Sequence, residues 1–474
     1  MKKIIAAAAA LTASFGMIGS SGAFAESYNY DLDDIEGLYY ANDDSTMLGD
    51  ANGDGIVDGR DASDVLSEYA AVSSGKAVSF TDEQKTSADV NSDDSVDGRD
   101  ASAILAYYAQ ISAGVKITVQ KYMAGIKADS VISEMSLHDK VCQMFIVRPE
   151  ELTNNADISV ASQATADALK ADPVCGLIYF KPNLESPEQA KEMLGNTKNY
   201  AIDAGAVPLF YGVDEEGGAV SRCADSLGTS RLFPMYMYRN DKNTTMTAYQ
   251  NAQKLAADIS QFGFNLDFAP VADTWSNPEN TVIGNRAYSD DFETTAMLVG
   301  AAVRGFDVGG VYCTLKHFPG HGNTSEDSHN GMAVSDRTAE ELKANEYLAF
   351  DRGIRAGADM VMVGHITVPS IDTLPASLSP KLVNGQLREV LGYDGVVITD
   401  SMGMGAVSNL YSSSEAAVMA VEAGCDIILT PANFSDAVAG LENAVKDGTI
   451  TEERINQSVK RILILKDKRM DIDN

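Results

Sequence analysis

Asp400 ends the apolar run Val396-Val397-Ile398-Thr399 and is followed by the glycine-containing turn Ser401-Met402-Gly403-Met404. Cleaving a glycosidic bond with retention needs a carboxylate on one face of the sugar and an acid on the other to protonate the leaving oxygen. Asp400 is the best nucleophile candidate, because the glycine behind it lets a ring approach closely. A second segment, Lys316-His317-Phe318-Pro319-Gly320-His321-Gly322 and on through Asp327-Ser328-His329, gathers a cation, three imidazoles and, two residues before the last of them, the carboxylate of Asp327. In an extended loop, residues two apart project the same way. Asp327 can therefore bond His329, fix its tautomer and raise its basicity, which equips His329 as general acid and then base. Phe318, Pro319, Gly320 and Gly322 are expected to shape this loop, with His321 either structural or supporting, and Trp275 either stacked on a sugar or in the core.

Nearer the start, an acidic pattern occurs twice with a period of 39 residues, from Asp50 and from Asp89. Oxygen-bearing side chains fall at loop positions one, three, five, nine and twelve: Asp50, Asn52, Asp54, Asp58 and Asp61, then Asp89, Asn91, Asp93, Asp97 and Asp100. Such a set surrounds one centre with hard ligands, as calcium requires, and without a cation the carboxylates would repel one another. Position six is Gly55 in the first loop, suited to a positive φ, but Asp94 in the second, which puts calcium affinity there in question. Each loop runs into an amphipathic helix, 62–71 and 101–111.

These groups need a scaffold, and the sequence supplies a repeating one. Short apolar runs at 142–147, 176–180, 209–213, 266–270, 311–316, 360–364, 396–399 and 426–429 each lead through polar or glycine-rich sequence into a helical stretch. Eight such units predict an α/β fold, a (β/α)₈ TIM barrel. No G-x-G-x-x-G follows a strand, which argues against a dinucleotide-binding fold. In a barrel the functional groups gather at the C-terminal strand ends, where Asp214, Lys316, His317, His365 and Asp400 all fall.

The duplicated loops, with Asp at position twelve, resemble a dockerin, the calcium-dependent module that docks onto cohesin domains of cellulosome scaffolds. The resemblance covers residues 46–115, makes Gly59-Arg60 and Gly98-Arg99 candidates for partner choice, and implies structural calcium. Residues 123–474 resemble glycoside hydrolase family 3 through K-H-F-P-G-H-G, the upstream D-x-E-G-G and T-D-S-M. The D-S-H loop is similar to that of the bacterial β-N-acetylglucosaminidase subgroup, which uses a His-Asp dyad as acid/base. The resemblance implies that Asp400 is the nucleophile, His329 the acid/base and Asp327 its partner. It also implies that Lys316 and His317 bind sugar hydroxyls, while Asp214, Arg222 and Arg286 hold the far edge of the ring. Glu215 and Ala219 stand where the family usually has Gln and Arg, which leaves fine specificity open. No cofactor is expected for catalysis.

The remaining composition bounds the setting. Met1-Lys2-Lys3, the apolar run from Ile4 to Ile18 and Ala23-Phe24-Ala25 read as a signal peptide over residues 1–25, so the chain is expected to be secreted, extracellular or on a cell-surface cellulosome. No other segment is expected to span a membrane. With 36 Lys plus Arg against 68 Asp plus Glu, the formal charge of -32 disfavours nucleic acid and anionic membranes and suits a neutral carbohydrate. The five cysteines show no metal-ligand spacing and are expected to be buried free thiols. Alternatives are a phosphorylase, a β-glucosidase or β-xylosidase, and a non-catalytic scaffold component. The second of these usually needs a further domain to supply the acid, and the chain's end at Asn474 leaves no room for one.

Overall fold

The computed structural model describes residues 47–156, 158–241, 243–324 and 333–472. The chain divides into two compact units, with the boundary between Met123 and Ala124.

Among its described residues the first unit consists of helices and the loops that join them. Asp58 and Asp97 cap helices Gly59–Ser73 and Gly98–Ser112, each accepting the N–H of the arginine two residues on, while Asp61 and Asp100 reach back to the cap backbone. A carboxylate at a helix start satisfies orphan N–H groups and favours the positive end of the dipole, so the loop's acids also begin the helices. The two helices pack together, and Ala62, Val65, Ala101, Ile104 and Tyr107 form their shared core. Both helices start three residues earlier than the amphipathic pattern indicates, because glycine and arginine at their first turn carry no apolar signal.

The second unit is a closed parallel barrel. Its strands are β1 (Phe145–Val147), β2 (Gly176–Ile178), β3 (Phe210–Val213), β4 (Leu266–Asp267), β5 (Tyr312–Phe318), β6 (Met360–Val363), β7 (Val396–Thr399) and β8 (Ile428–Leu429). They pair in sequence order, β8 pairs with β1, and a parallel bridge between Ile398 and Ile427 closes the ring. Every residue of these strands is buried, as expected when helices cover the outside and side chains fill the inside. Phe210, Phe268, Tyr312, Met360 and Ile398 are among the residues that fill the core.

All eight expected strands are present. The first is shorter than its apolar run: Ser136 caps helix Leu137–Cys142, and Asp139 completes a capping box, so Cys142 closes a helix and β1 begins at Phe145. The fifth extends two residues further, to Phe318. All five cysteines are buried and free. Among the described residues, no helix is long and apolar enough to cross a membrane.

Candidate active site

The strand ends converge on a cavity of about 320 Å³. Asp214, Glu216, Arg222, Arg286, Lys316, His317, His321 and Asp400 supply its polar lining, and Ile178, Met362 and Leu429 part of its apolar lining. Six of the eight expected catalytic and sugar-binding residues thus meet in one place. The other two, Asp327 and His329, lie outside the described residues, as do residues 1–25.

β3 delivers Asp214, after which the hairpin of Glu215–Gly217 and Val220–Ser221 folds back and leads into the short helix Arg222–Ser226. β5 carries Lys316, whose Nζ lies 2.9 Å from Asp214 Oδ1 and 2.6 Å from Glu216 Oε1. Arg286 grips the same Glu216 with two bonds of 2.8 Å, from Nε and Nη2. Planar, charge-assisted pairs of this kind fix orientation as well as charge. Burial raises the Glu216 carboxyl's pKa, but Arg286 and Lys316 outweigh it and hold the group well below its ordinary range. Burial likewise lowers the pKa of the Lys316 ammonium, and Asp214 and Glu216 more than offset that. Both groups are therefore charged. Among the described residues Arg222 Nε is buried without a hydrogen-bond partner, which leaves its guanidinium able to donate into the cavity.

His317, next on β5, is fixed by Asp273: Nδ1 lies 2.7 Å from Asp273 Oδ2, and the other oxygen, Oδ1, accepts the His321 N–H at 2.6 Å. One buried carboxylate thus sets both imidazole-bearing residues. Burial keeps His321 below its ordinary pKa, and Thr324 Oγ1 sits 2.8 Å from its Nδ1. His365, beyond β6, spans Ser377 Oγ and the Ser401 carbonyl at 2.8 and 2.9 Å, which anchors the turn after β7.

That turn holds Asp400. Its Oδ1 accepts the Ser401 N–H at 2.8 Å, and its own N–H donates to the Val363 carbonyl of β6. The N–H groups of Met402 and Gly403 bond to Leu429 and Thr430, so the turn is tied to both neighbouring strands. Burial raises the carboxyl's pKa, while the charges of His317 and His365, with the Ser401 N–H, lower it further and leave it below the ordinary aspartate value. Asp400 is ionised at neutral pH, the state a nucleophile requires.

Two residues to which the sequence reading gave no role are central here, Glu216 and Asp273. Glu216 stands inside the D-x-E-G-G motif, and Asp273 lies six residues past the end of β4, beyond the positions directly after a strand that the strand-end rule singles out. Trp275 is not part of the cavity lining and packs edge-on against Tyr236, with ring centroids 5.0 Å apart.

Residues 136–465 match the glycosyl hydrolase family 3 N-terminal domain. The chain belongs to glycosyl hydrolase family 3. Residues 48–107 match the dockerin type I domain, so this family 3 hydrolase also carries a dockerin module. Among curated relatives, a beta-hexosaminidase of Stenotrophomonas maltophilia is 39% identical over 270 residues, covering 56% of this chain and 78% of that protein. One from Xylella fastidiosa is 36% identical, covering 59% and 83%. Of solved structures, a family 3 beta-N-acetylglucosaminidase from Paenibacillus sp. superposes with a TM-score of 0.66 at 38% identity, covering 71% of this chain and 63% of that one.

Proposed function

We propose that this family 3 hydrolase is an exo-acting, retaining β-N-acetylglucosaminidase, exported and tethered through its dockerin to a cohesin domain on a scaffold protein. The observation that carries the reading is an ionised Asp400 in the wall of a small cavity whose polar lining includes cations and carboxylates able to hydrogen-bond a sugar. At about 320 Å³ the cavity is at the lower end of the roughly 300–1,000 Å³ typical of ligand sites, which suits one terminal ring rather than a run of sugars. The name of the Stenotrophomonas protein agrees with a hexosamine as that ring, and that of the Paenibacillus protein with an N-acetylated one.

In the proposed reaction Asp400 attacks the anomeric carbon as its bond to the leaving oxygen breaks. His329, oriented by Asp327, gives that oxygen its proton. A water then displaces Asp400, losing its proton to His329, so the new hydroxyl lies on the face the leaving group occupied. Asp214 and Arg222 hold the ring's hydroxyls. Lys316, His317 and Arg286 line the same cavity, and Glu216 and Asp273 keep them in place.

The dockerin loops suit calcium by their donors. Asp61 and Asp100 are fully buried, and burial raises their carboxyl pKa values, with Asp50, Asp58, Asp89 and Asp93 adding repulsion. A divalent cation would relieve both effects. Asp50, Asn52, Asp54 and Asp61 would hold the first ion, with Asp89, Asn91, Asp93 and Asp100 holding the second. Asp58 and Asp97 already cap helices and grip Arg60 and Arg99, so they would act through water.

A chromogenic N-acetyl-β-glucosaminide tests the activity. The wild type is expected to hydrolyse it, and Asp400→Asn to lose at least about 1,000-fold in kcat/KM. Equal turnover by the two would overturn the nucleophile assignment. Accumulation of a sugar 1-phosphate when phosphate is added would identify a phosphorylase instead.

A further inference from the structure

At the opposite end of the barrel, where the strands begin, a histidine, a cysteine and an aspartate converge outside the active site. His138 and Cys142 lie four residues apart on helix Leu137–Cys142, hence on one face, and Asp172 caps the end of helix Gln163–Ala171 just before β2. His138 Nε2 is 3.5 Å from Cys142 Sγ and 3.3 Å from Asp172 Oδ1, and Sγ is 4.0 Å from the same oxygen. Zinc bonds of about 2.0–2.1 Å to nitrogen, 2.3 Å to sulfur and 2.0–2.2 Å to oxygen, set tetrahedrally, put ligand atoms roughly 3.3–3.6 Å apart. Two of the three edges have that length, and the third closes with a small turn of the Asp172 side chain.

The surroundings fit the same reading. His138 Nδ1 sits 2.8 Å from Glu442 Oε1, on helix Phe434–Lys446, which follows β8. A carboxylate holding one ring nitrogen while the other faces the metal fixes the tautomer and strengthens the ligand. The Ala171 carbonyl oxygen, 3.0 Å from Nε2, is a nearby fourth donor. The Cys142 thiol is buried, but the side chains of His138 and Asp172 are 37% and 33% exposed, which gives an ion a way in.

We propose that His138, Cys142 and Asp172 form a zinc site, with Glu442 orienting His138. The ion ties the segment entering β1 to the one entering β2, and Glu442 joins the last part of the barrel to them. Cys142 binds as thiolate and its proton passes to solvent, so uptake of zinc releases a proton.

The test is titration of the full chain, reduced and supplied with calcium, with cobalt(II) as a spectroscopic probe and zinc as competitor. Wild type is expected to develop one equivalent of a thiolate-to-cobalt charge-transfer band, which zinc abolishes. Cys142→Ser is expected to lose the band while keeping its circular dichroism. Glu442→Gln should retain the band but bind roughly 10- to 100-fold more weakly. If Cys142→Ser does not fold, loss of the band in His138→Gln serves the same purpose. Absence of the band in wild type, or its persistence in folded Cys142→Ser, would overturn the site and leave an imidazolium held between two carboxylates.

Discussion

Glu216 sits between Arg286 and Lys316 with its side chain 1% exposed, so its charge is what allows two cations to stay in the cavity wall. Removing one partner of a buried pair leaves the others unscreened, typically at about 3–5 kcal/mol. Glu216→Gln is expected to lose stability of that order in urea denaturation, and to weaken substrate binding because Lys316 and Arg286 lose their fixed positions. The neighbouring Glu215 behaves in the opposite way. Burial raises its carboxyl to about 7, despite N–H groups donated by Cys223 and Ala224, so at mildly acid pH the folded chain keeps a proton that the unfolded chain, with a pKa of ~4.3, has already released. Its contribution is complete below the unfolded value and declines as pH rises toward 7, by up to about 1.4 kcal/mol per unit. Glu215→Gln should remove that slope from the stability profile, at a cost of about 1 kcal/mol for the N–H acceptor lost. An unchanged slope would assign it to other groups.

The loop after β5 is held against the loop after β4 by close backbone contact. A Cβ at Gly322 would lie 1.8 Å from the Thr274 carbonyl oxygen, and the Gly322 carbonyl accepts the Asn277 N–H while Asn280 Nδ2 donates to the His321 carbonyl. Gly322→Ala therefore forces the two loops apart. It is expected to cost about 1–3 kcal/mol or more, and to lower activity by disturbing the loop that leads to Asp327 and His329. Wild-type melting and activity in that variant would refute the contact's importance. At this scale much was legible: eight apolar runs with polar ends are what a barrel buried on both faces demands, and Asp214, Lys316, His317 and Asp400 followed from that rule alone. Cys142 to Met144 were misassigned because a short apolar run reads alike as strand or buried helix, and the Ser136 cap decided between them. Glu216 and Asp273 stayed hidden for another reason. Their partners are 70 and 44 residues away, at Arg286 and His317, and no local spacing encodes such pairs.

The two units each have their own core, so they are expected to respond separately to perturbation. In the dockerin unit the second loop holds Ser92 and Asp94 at positive φ, 57° and 60°, where the first loop has Gly53 and Gly55. That strain is expected to make the second loop the weaker of the two for calcium. Scanning calorimetry of the full chain with calcium should give two transitions, and a chelator should lower or abolish the dockerin's while leaving the barrel's; one transition unmoved by chelator would refute the calcium reading. The most direct test of the central claim is a mass measurement on the intact protein. Quenched during turnover of an activated, slowly released N-acetylglucosaminide, the chain is predicted to carry a single sugar, and peptide mapping to locate it on Asp400. Product formation with no adduct, or with the sugar on another residue, would contradict the account.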